Sequence, residues 1–324
     1  MNQAGMRTKS GLAVESAAST RNRWWIYQRE RFPLAAHTPI IAAFSLTCVG
    51  YSALARGSDI LSGRQIVSAF SISFLFFLQL RLADEFKDFE EDFLYRPHRP
   101  VPRGLVTLRE LAFVWAAAIV LQLLIVLWLS ASLFPLLACV WVYLMLMSRE
   151  FFVRRWLKRH AIVYMVSHMI IMPLIFLMVS ACDWMLAGLK RPPQATTWMM
   201  LANFFIGMVI EIGRKVRSPD DEEPGVETYS QLWGRASAIF AWLAVMIASA
   251  VLVYPAARSI RFPQVELVLL PLIAVSIVVA VVFLEHNDRG RGKWIETLSG
   301  IWALVTYLGM GIVPLGLRYY GGQK

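Results

Sequence analysis

Long apolar stretches, separated by shorter polar and charged segments, recur along most of the chain. They cover residues 33–55, 65–80, 111–130, 131–148, 161–182, 197–212, 236–255, 263–284 and 297–316. A helix needs roughly 20 mainly apolar residues to cross the hydrocarbon core of a bilayer, and each stretch is close to that length. The pattern predicts an all-α integral membrane protein, a bundle of about nine transmembrane helices that leaves no room for a soluble domain.

The composition agrees with this interpretation. The 324 residues are 57% hydrophobic and only 17% charged, and the mean hydropathy is +0.54. Soluble globular chains carry about 25% charged residues. The three cysteines, Cys48, Cys139 and Cys182, are scattered singly in or beside apolar stretches. Their spacing indicates neither a metal site nor a disulfide framework, so we expect packed, unreactive thiols.

The two ends of the chain differ from its apolar middle. Residues 1–32 are predicted to form a cytosolic N-terminal tail, in which residues 1–23 are rich in serine and alanine and are expected to be disordered. Trp24–Tyr27, set among arginines, is typical of an anchor at the level of the lipid headgroups. Residues 33–318 form the predicted transmembrane domain, and residues 319–324 a C-terminal tail.

The distribution of lysine and arginine predicts the orientation in the membrane. With the N-terminus in the cytosol, the cytosolic segments carry about three times as many basic residues as the outer segments, in agreement with the positive-inside rule. This bias explains the net charge of +10 without a nucleic-acid partner. A basic cluster at 149–159 indicates contact with anionic membrane lipid or, alternatively, capture of a diphosphate. We predict a multi-pass protein of a bacterial inner membrane, with its functional site facing the cytosol.

The first concentration of acidic residues lies at the cytosolic end of the second predicted span. Asp84, Asp88 and Asp92 are four residues apart, and in a helix this spacing places them on one face. Like charges at this spacing repel by a few tenths of a kcal/mol per pair unless a cation offsets them. Arginines interleaved with prolines follow directly: Arg96, Arg99 and Arg103. Carboxylates suited to Mg²⁺ beside guanidinium groups suited to phosphate are what a diphosphate site requires.

A second charged cluster follows the sixth predicted span. It begins with Glu211, continues with Arg214 and Lys215, and ends in an acidic loop that holds Asp220 and Asp221. The order of carboxylate, cations and further carboxylates repeats the chemistry of the first motif. The acidic run at 220–223 is equally typical of a solvated loop. Because the motifs follow spans two and six on the same side of the membrane, they can face each other across the bundle.

The first motif resembles that of the UbiA superfamily of intramembrane prenyltransferases, and the resemblance covers nearly the whole chain after residue 30. The family motif Asn-x3-Asp-x3-Asp is matched by Asp84, Asp88 and Asp92, with aspartate in place of asparagine. The segment His98–Gly104, HRPVPRG, is similar to the family's Asn-Arg-Pro-x-Pro-x-Gly segment, with histidine in place of asparagine. Nine helices with both motifs at their cytosolic ends is also the arrangement that the family implies.

The second motif resembles its family counterpart less closely. The family has aspartates spaced by four, and Glu211 matches the first position. Steps of four then fall on Lys215 and Pro219, with Asp220 and Asp221 just beyond. These departures affect the identity of the substrate and the number of bound metal ions rather than the fold.

The resemblance implies a Mg²⁺-dependent enzyme that acts on an isoprenyl diphosphate. The expected metal ligands of the first motif are Asp84, Asp88 and Asp92, of which Asp88 and Asp92 are the expected catalytic residues. The expected ligands of the second motif are Glu211, Asp220 and Asp221. The basic residues expected to bind the phosphate oxygens are Arg99, Arg103, Arg214 and Lys215.

The leading functional hypothesis is a prenyltransferase, a transferase of alkyl groups other than methyl, which joins the isoprenyl group to a lipophilic or aromatic acceptor and releases diphosphate. A membrane terpene cyclase of the same family is the alternative, because it uses the same ionisation without an acceptor. A cation transporter is a third hypothesis, although no acidic residue lies at mid-membrane, where a transport site is expected. His168 lies within a span and is either functional or a neutral histidine bonded to a neighbouring helix.

Overall fold

The computed structural model describes residues 22–286 and 288–321, and within these ranges the chain forms helices and turns without a β-strand. The disorder predicted for residues 1–23 falls almost entirely outside the described residues and stays a prediction. The helices, in chain order, are α1 (Arg23–Arg31), α2 (Leu34–Ala55), α3 (Gly63–Lys87), α4 (Phe89–Tyr95), α5 (Leu108–Leu129), α6 (Phe134–Ser148), α7 (Arg154–Arg159), α8 (Ala161–Met169), α9 (Ile171–Trp184), α10 (Thr196–Arg214), α11 (Tyr229–Trp233), α12 (Arg235–Ser259), α13 (Glu266–Glu285), α14 (Gly292–Tyr307) and α15 (Val313–Gly321).

Nine segments of the described chain are long and apolar enough to cross a membrane. Helices α2, α3, α5, α10 and α12 each form one span, and α6 and α13 do so together with the 3₁₀ turns that precede them. The pairs α8–α9 and α14–α15 form the remaining two spans. The protein is therefore an all-α, multi-pass membrane protein, as the apolar pattern predicts.

Two of these spans are interrupted. Helix α8 ends at Met169 and α9 begins at Ile171, because Pro173 has no N–H to donate to the Met169 carbonyl. In the last span a π-helical turn, Leu308–Ile312, separates α14 from α15. The π-helical turn contains Gly311, whose position lies so close to α2 that a Cβ would be 2.5 Å from the Cα of Thr47.

Helix α10 occupies the middle of the bundle and packs against α9, α12 and α14. The polar side chain at its middle, Asn203, is bonded inside the protein, as a buried polar group in a bilayer requires. The Tyr307 hydroxyl donates to Asn203 Oδ1 at 2.7 Å, and Asn203 Nδ2 donates to the Met172 carbonyl at 2.8 Å. These bonds connect α14, α10 and α9. Helices α5 and α13 are far less buried and lie at the periphery.

The bundle has a motif end, where α3 and α10 end, and an opposite end, where α3 begins. At the opposite end Asp183 is fully buried and accepts hydrogen bonds from Arg56 Nη2 at 2.9 Å, Arg56 Nε at 3.0 Å and Ser52 Oγ at 2.8 Å. Gln65, in the first turn of α3, adds a longer contact of 3.4 Å. We call this group the Asp183 cluster. It joins α2, α3 and α9.

Helix α1 carries the predicted interfacial anchor and packs against the motif end. Trp24 and Trp25 are exposed, whereas Tyr27 is buried. Tyr27 belongs to a small apolar cluster that includes Leu82 of α3 and Leu111 of α5. The residues just before the first span therefore contribute to the part of the protein that holds both acidic motifs.

Candidate active site

The three aspartates of the first motif do not lie on one uninterrupted helix. Asp84 lies in the last turn of α3, Asp88 lies at the break between α3 and α4, and Asp92 belongs to α4. The backbone of Asp88 has φ −95° and ψ 5°, which ends α3 there. The spacing of four predicts a shared face of one helix, and this stays a prediction. The Asp88 N–H still donates to the Asp84 carbonyl and the Asp92 N–H to the Asp88 carbonyl, but Asp92 belongs to a separate helix and is buried. The like charges still act on one another across the break, since, after burial, the Asp84 and Asp92 carboxylates both raise the pKa of Asp88.

Asp84 and Asp88 have open carboxylates. The Asp84 side chain is one-third exposed, and its nearest cations, Arg81 and Lys87, are both 3.6 Å away, beyond hydrogen-bond distance. Among the described residues, no hydrogen bond or ion pair reaches the carboxylate of Asp88. Burial raises the pKa of Asp88, and neighbouring Lys87 partly offsets this. Both carboxylates thus have oxygen lone pairs available for a ligand.

Asp92, by contrast, is buried among arginines. Arg99 Nη1 donates to its Oδ2 at 2.6 Å, and Arg96 and Arg31 lie at 3.6 and 3.9 Å. Only 4% of Asp92 is exposed. Arg31 also bonds Glu85, so the same guanidinium links α1 to α3 and α4. The contacts of Asp92 and Arg99 therefore fix the loop after α4 to the bundle.

Arg103, the third arginine of the motif, faces the surface of the same region. It donates to Glu30 Oε1 of α1 and to the His98 carbonyl, both at 2.9 Å. The prediction that Arg99 and Arg103 bind phosphate stays a prediction. In this structure both guanidinium groups are engaged with protein oxygens.

The second motif supplies one buried carboxylate and two cations at the end of α10. Glu211 Oε2 accepts from Arg214 Nη2 at 2.7 Å, and Glu211 Oε1 lies 2.9 Å from Lys215 Nζ. The side chains of Arg214 and Lys215 are 45% and 33% exposed. Burial lowers the pKa of Lys215, but the charge and hydrogen bond of Glu211 together with Tyr164 outweigh it, so the net shift is upward. The ammonium group is therefore charged at neutral pH.

The packing of α10 on α14 fixes the position of the Glu211 carboxylate and its two cations along the bundle axis. At Gly213, between Glu211 and Arg214, a Cβ would lie 2.0 Å from Ser299 Oγ of α14. The Ser299 hydroxyl in turn accepts a hydrogen bond from Trp242 Nε1 of α12 at 2.8 Å. Three helices thus meet at the residue that precedes the two cations.

Tyrosines bring the two motifs together. Lys87 of α3 donates to the Tyr164 hydroxyl of α8 at 2.6 Å. The Lys215 ammonium lies 5.8 Å from the centroid of the Tyr164 ring and 5.5 Å from that of Tyr229. Sequence reasoning missed Lys87, Tyr164 and Tyr229. The position of Lys87 between Asp84 and Asp88 could have indicated its role, whereas nothing in the sequence distinguishes Tyr164 within its apolar stretch.

His168 lies one helical turn from Tyr164, beneath this group. The two rings stack with centroids 3.9 Å apart, and His168 Nδ1 contacts the Tyr164 carbonyl at 2.8 Å. His168 Nε2 is buried and has no hydrogen-bond partner among the described atoms. The short hydrogen bond of His168 is therefore within its own helix and not with a neighbouring one, and its ring also meets the ring of Phe151 with centroids 6.0 Å apart.

The acidic loop of the second motif lies beside a separate polar cavity. Asp221 Oδ2 accepts from the Gly290 N–H at 2.7 Å, and Asp220 is exposed. A cavity of about 230 Å³ is lined by Arg96, Arg217, Asp221, Glu223, Val226, Thr228 and Lys293. The two motif loops touch here, through the Arg96–Glu223 ion pair at 3.1 Å and through Tyr95, which packs on Gly225. The hydrogen-bond and ion-pair partners of Glu211 among the described residues are Arg214 and Lys215, and the acidic loop supplies none of them.

The donor set at the motif end suits Mg²⁺. Magnesium is commonly held by one or two carboxylates together with substrate phosphate oxygens and water, and Asp84 and Asp88 offer two open carboxylates. Within residues 22–286 and 288–321 no group of three or more aspartate, glutamate, histidine or cysteine side chains is arranged to hold a metal ion. A divalent cation at Asp84 and Asp88 would therefore take its remaining ligands from a phosphorylated substrate and water.

Comparison with known proteins identifies the family. The model of the UbiA prenyltransferase family matches residues 30–315, and the chain belongs to this family. A search of curated protein sequences finds no significant match.

Two solved structures share the fold. A digeranylgeranylglyceryl phosphate synthase superposes with a TM-score of 0.61 at 13% identity, covering 91% of this chain and all of that one. A UbiA homologue from Archaeoglobus fulgidus, whose structure contains DMAPP and Mg²⁺, superposes with a TM-score of 0.54 at 13% identity, covering 88% of this chain and 98% of the other.

Proposed function

We propose that this member of the UbiA prenyltransferase family transfers an isoprenyl group from an isoprenoid diphosphate to a lipophilic or aromatic acceptor and releases diphosphate. The observation that carries the proposal is the meeting of open carboxylates, Asp84 and Asp88, with the cations Lys87, Arg214 and Lys215 at one end of an apolar bundle. The positive-inside bias supports a cytosolic position for this end.

Each group has a role in the proposed reaction. Asp84 and Asp88 would hold Mg²⁺, which when bound would neutralise charge on the departing diphosphate. Lys87, Arg214 and Lys215 bind phosphate oxygens that the metal leaves free. The C–O bond breaks with both electrons going to the diphosphate, and an electron pair of the acceptor forms the new bond to the allylic carbon. The acceptor loses a proton to diphosphate or water.

The surroundings suit a carbocation. The isoprenyl chain lies among the apolar helices, which exclude water that would quench the cation. Tyr164 and Tyr229 present aromatic rings to Lys215, and such rings attract cations. The nine spans provide apolar length for a long isoprenyl chain.

The test is turnover by the purified protein in nanodiscs with Mg²⁺, allylic diphosphates of increasing length and a panel of aromatic and lipophilic acceptors. Diphosphate release and extracted products are measured together. We expect products with the mass of acceptor plus isoprenyl group, lost in Asp88→Asn and retained in Glu90→Gln, which removes a nearby exposed carboxylate. Cyclic hydrocarbons or alcohols formed without an acceptor would favour the terpene cyclase hypothesis over the prenyltransferase hypothesis. Absence of diphosphate release with every substrate would overturn the proposal, and ion flux in liposomes would then be measured.

A further inference from the structure

The two sides of the candidate active site differ in the availability of their carboxylates. On the α3 side, Asp84 has cations only at 3.6 Å, and no hydrogen bond or ion pair from a described residue reaches the Asp88 carboxylate. On the α10 side, the one carboxylate is Glu211, and each of its oxygens already has a cation within 2.9 Å. A metal ion therefore has ligands on one side only.

A metal ion on Glu211 would also meet an unfavourable field. It would have to displace Arg214 or Lys215 from the carboxylate, and the displaced cation would remain a few ångströms away. Two cations at such distances repel strongly in a partly buried site. Neither arginine nor charged lysine can act as a ligand, since both side chains only donate hydrogen bonds. The acidic loop does not compensate, because Asp221 is bound to the Gly290 N–H.

We propose that this site uses a single divalent cation, held by Asp84 and Asp88. Lys215 and Arg214 bind the diphosphate directly on the α10 side, where their positive charges replace the charge of a second metal ion. The inference rests on the proposed function and specifies how the diphosphate is bound. Arg214 and Lys215 are one-third to one-half exposed, so both can reach a ligand while keeping their contacts with Glu211. Lys87, bonded to Tyr164, lies between the two sides.

The experiment counts metal ions. The purified protein in nanodiscs is saturated with an unreactive isoprenyl thiodiphosphate, and bound Mn²⁺ is determined from the electron paramagnetic resonance of the free ion. We expect one Mn²⁺ per protein in the presence of the thiodiphosphate. Two Mn²⁺ per protein would overturn the inference, even if the enzyme is fully active.

A variant of Lys215 tests whether this residue takes the place of a second metal ion. Lys215→Asp places a second carboxylate one turn from Glu211, and we expect it to raise the count to two. Arg109→Asp, which makes the same change of charge at an exposed position outside both motifs and the basic cluster at 149–159, should leave the count at one. A count that stays at one in the folded Lys215→Asp protein would show that Lys215 does not take the place of a metal ion.

A second variant does not depend on creating a new site. Lys215→Gln removes the ammonium group, and we expect about 10- to 100-fold weaker thiodiphosphate binding, the usual worth of a hydrogen bond to a charged group, with the Mn²⁺ count unchanged. Unchanged affinity would contradict direct binding by Lys215. If the wild-type protein binds neither Mn²⁺ nor thiodiphosphate and releases no diphosphate from any substrate, the proposed function itself fails. The two failures are thereby distinguishable.

Discussion

Carboxylates lie near both ends of α3, but they differ in whether protein groups already occupy their oxygen lone pairs. At its first turn, Gln65 joins the Asp183 cluster, in which a fully buried carboxylate accepts three short hydrogen bonds from Arg56 and Ser52. At its last turn, Asp84 has ion pairs of 3.6 Å, and Asp88 accepts none from the described residues. A carboxylate whose lone pairs are all used holds helices together. One whose lone pairs are free, beside cations and at the end of an apolar bundle, indicates a ligand.

The strongest test of this comparison is Asp88→Asn. We expect diphosphate release to fall by about 1,000-fold, since the loss of a metal ligand removes several kcal/mol of charge stabilisation. The melting temperature should be unchanged or slightly higher, because one of several neighbouring negative charges is removed. Rates are followed by diphosphate release and stability by thermal unfolding in detergent. Severe unfolding of this variant would show that Asp88 stabilises the fold, as Asp183 does, instead of binding a ligand.

Asp183→Asn tests the other end. Removing one partner of a buried, hydrogen-bonded ion pair destabilises by about 3 kcal/mol or more, because the Arg56 guanidinium loses its counter-charge. The hydrogen bond to Asp183 raises the pKa of Arg56, and this shift is lost in the variant. Arg56 still stays charged when left alone, because a guanidinium is not deprotonated in proteins. The matched control is Asp288→Asn, which breaks a surface pair with Arg291 and should lower the free energy of unfolding by less than about 1 kcal/mol. Equal losses in the two variants would remove the distinction.

Ligand-dependent stability sharpens the same contrast. Mg²⁺ with an isoprenyl thiodiphosphate at roughly 100 times its dissociation constant should raise the free energy of unfolding by about 2.7 kcal/mol. The gain should be the same in wild-type protein and in Asp183→Asn, and absent in Asp88→Asn. Thermal unfolding with and without ligand measures it. A gain lost in Asp183→Asn would mean that the opposite end shapes the site.

The smallest expected effect concerns the tyrosine that joins the motifs. Tyr164→Phe removes the hydroxyl that accepts from Lys87, and we expect kcat/KM to fall about tenfold, or about 1.4 kcal/mol, as the ammonium loses its fixed position. Tyr254→Phe, which removes a hydroxyl bonded to Arg258 at the opposite end, should change kcat/KM by less than about twofold. Equal effects in both variants would place Tyr164 outside the site.

Local rules account for much of the fold. The length and polarity of the apolar stretches predict the nine spans of the described chain. The sequences Ser62-x-x-Gln65 and Thr107-x-x-Glu110 form capping boxes that begin α3 and α5, and such boxes are recognisable in a sequence. Pro173 explains the break in the fifth span.

The site was less predictable, for a physical reason. Its electrostatics depend on contacts between residues far apart in the chain. The spacing of Asp92 gives no sign that Arg31, from a helix before the first span, lies beside it. Likewise, the sequence of the acidic loop suggests free carboxylates for a metal ion, but in the structure Asp221 accepts a hydrogen bond from the Gly290 N–H. Spacing can place a residue on a helix, but it does not say which partner has already taken its lone pairs.

The close contact at Gly213 has a consequence for protein engineering. A side chain at this position would push Ser299 aside and break its bond to Trp242, because even a Cβ lies 2.0 Å from the hydroxyl oxygen. The neighbouring Arg214 and Lys215 extend outward and are partly exposed. Libraries that aim to change diphosphate recognition can therefore vary residues 214 and 215, provided that one of them keeps a positive charge to pair with the buried Glu211 and that glycine is kept at 213.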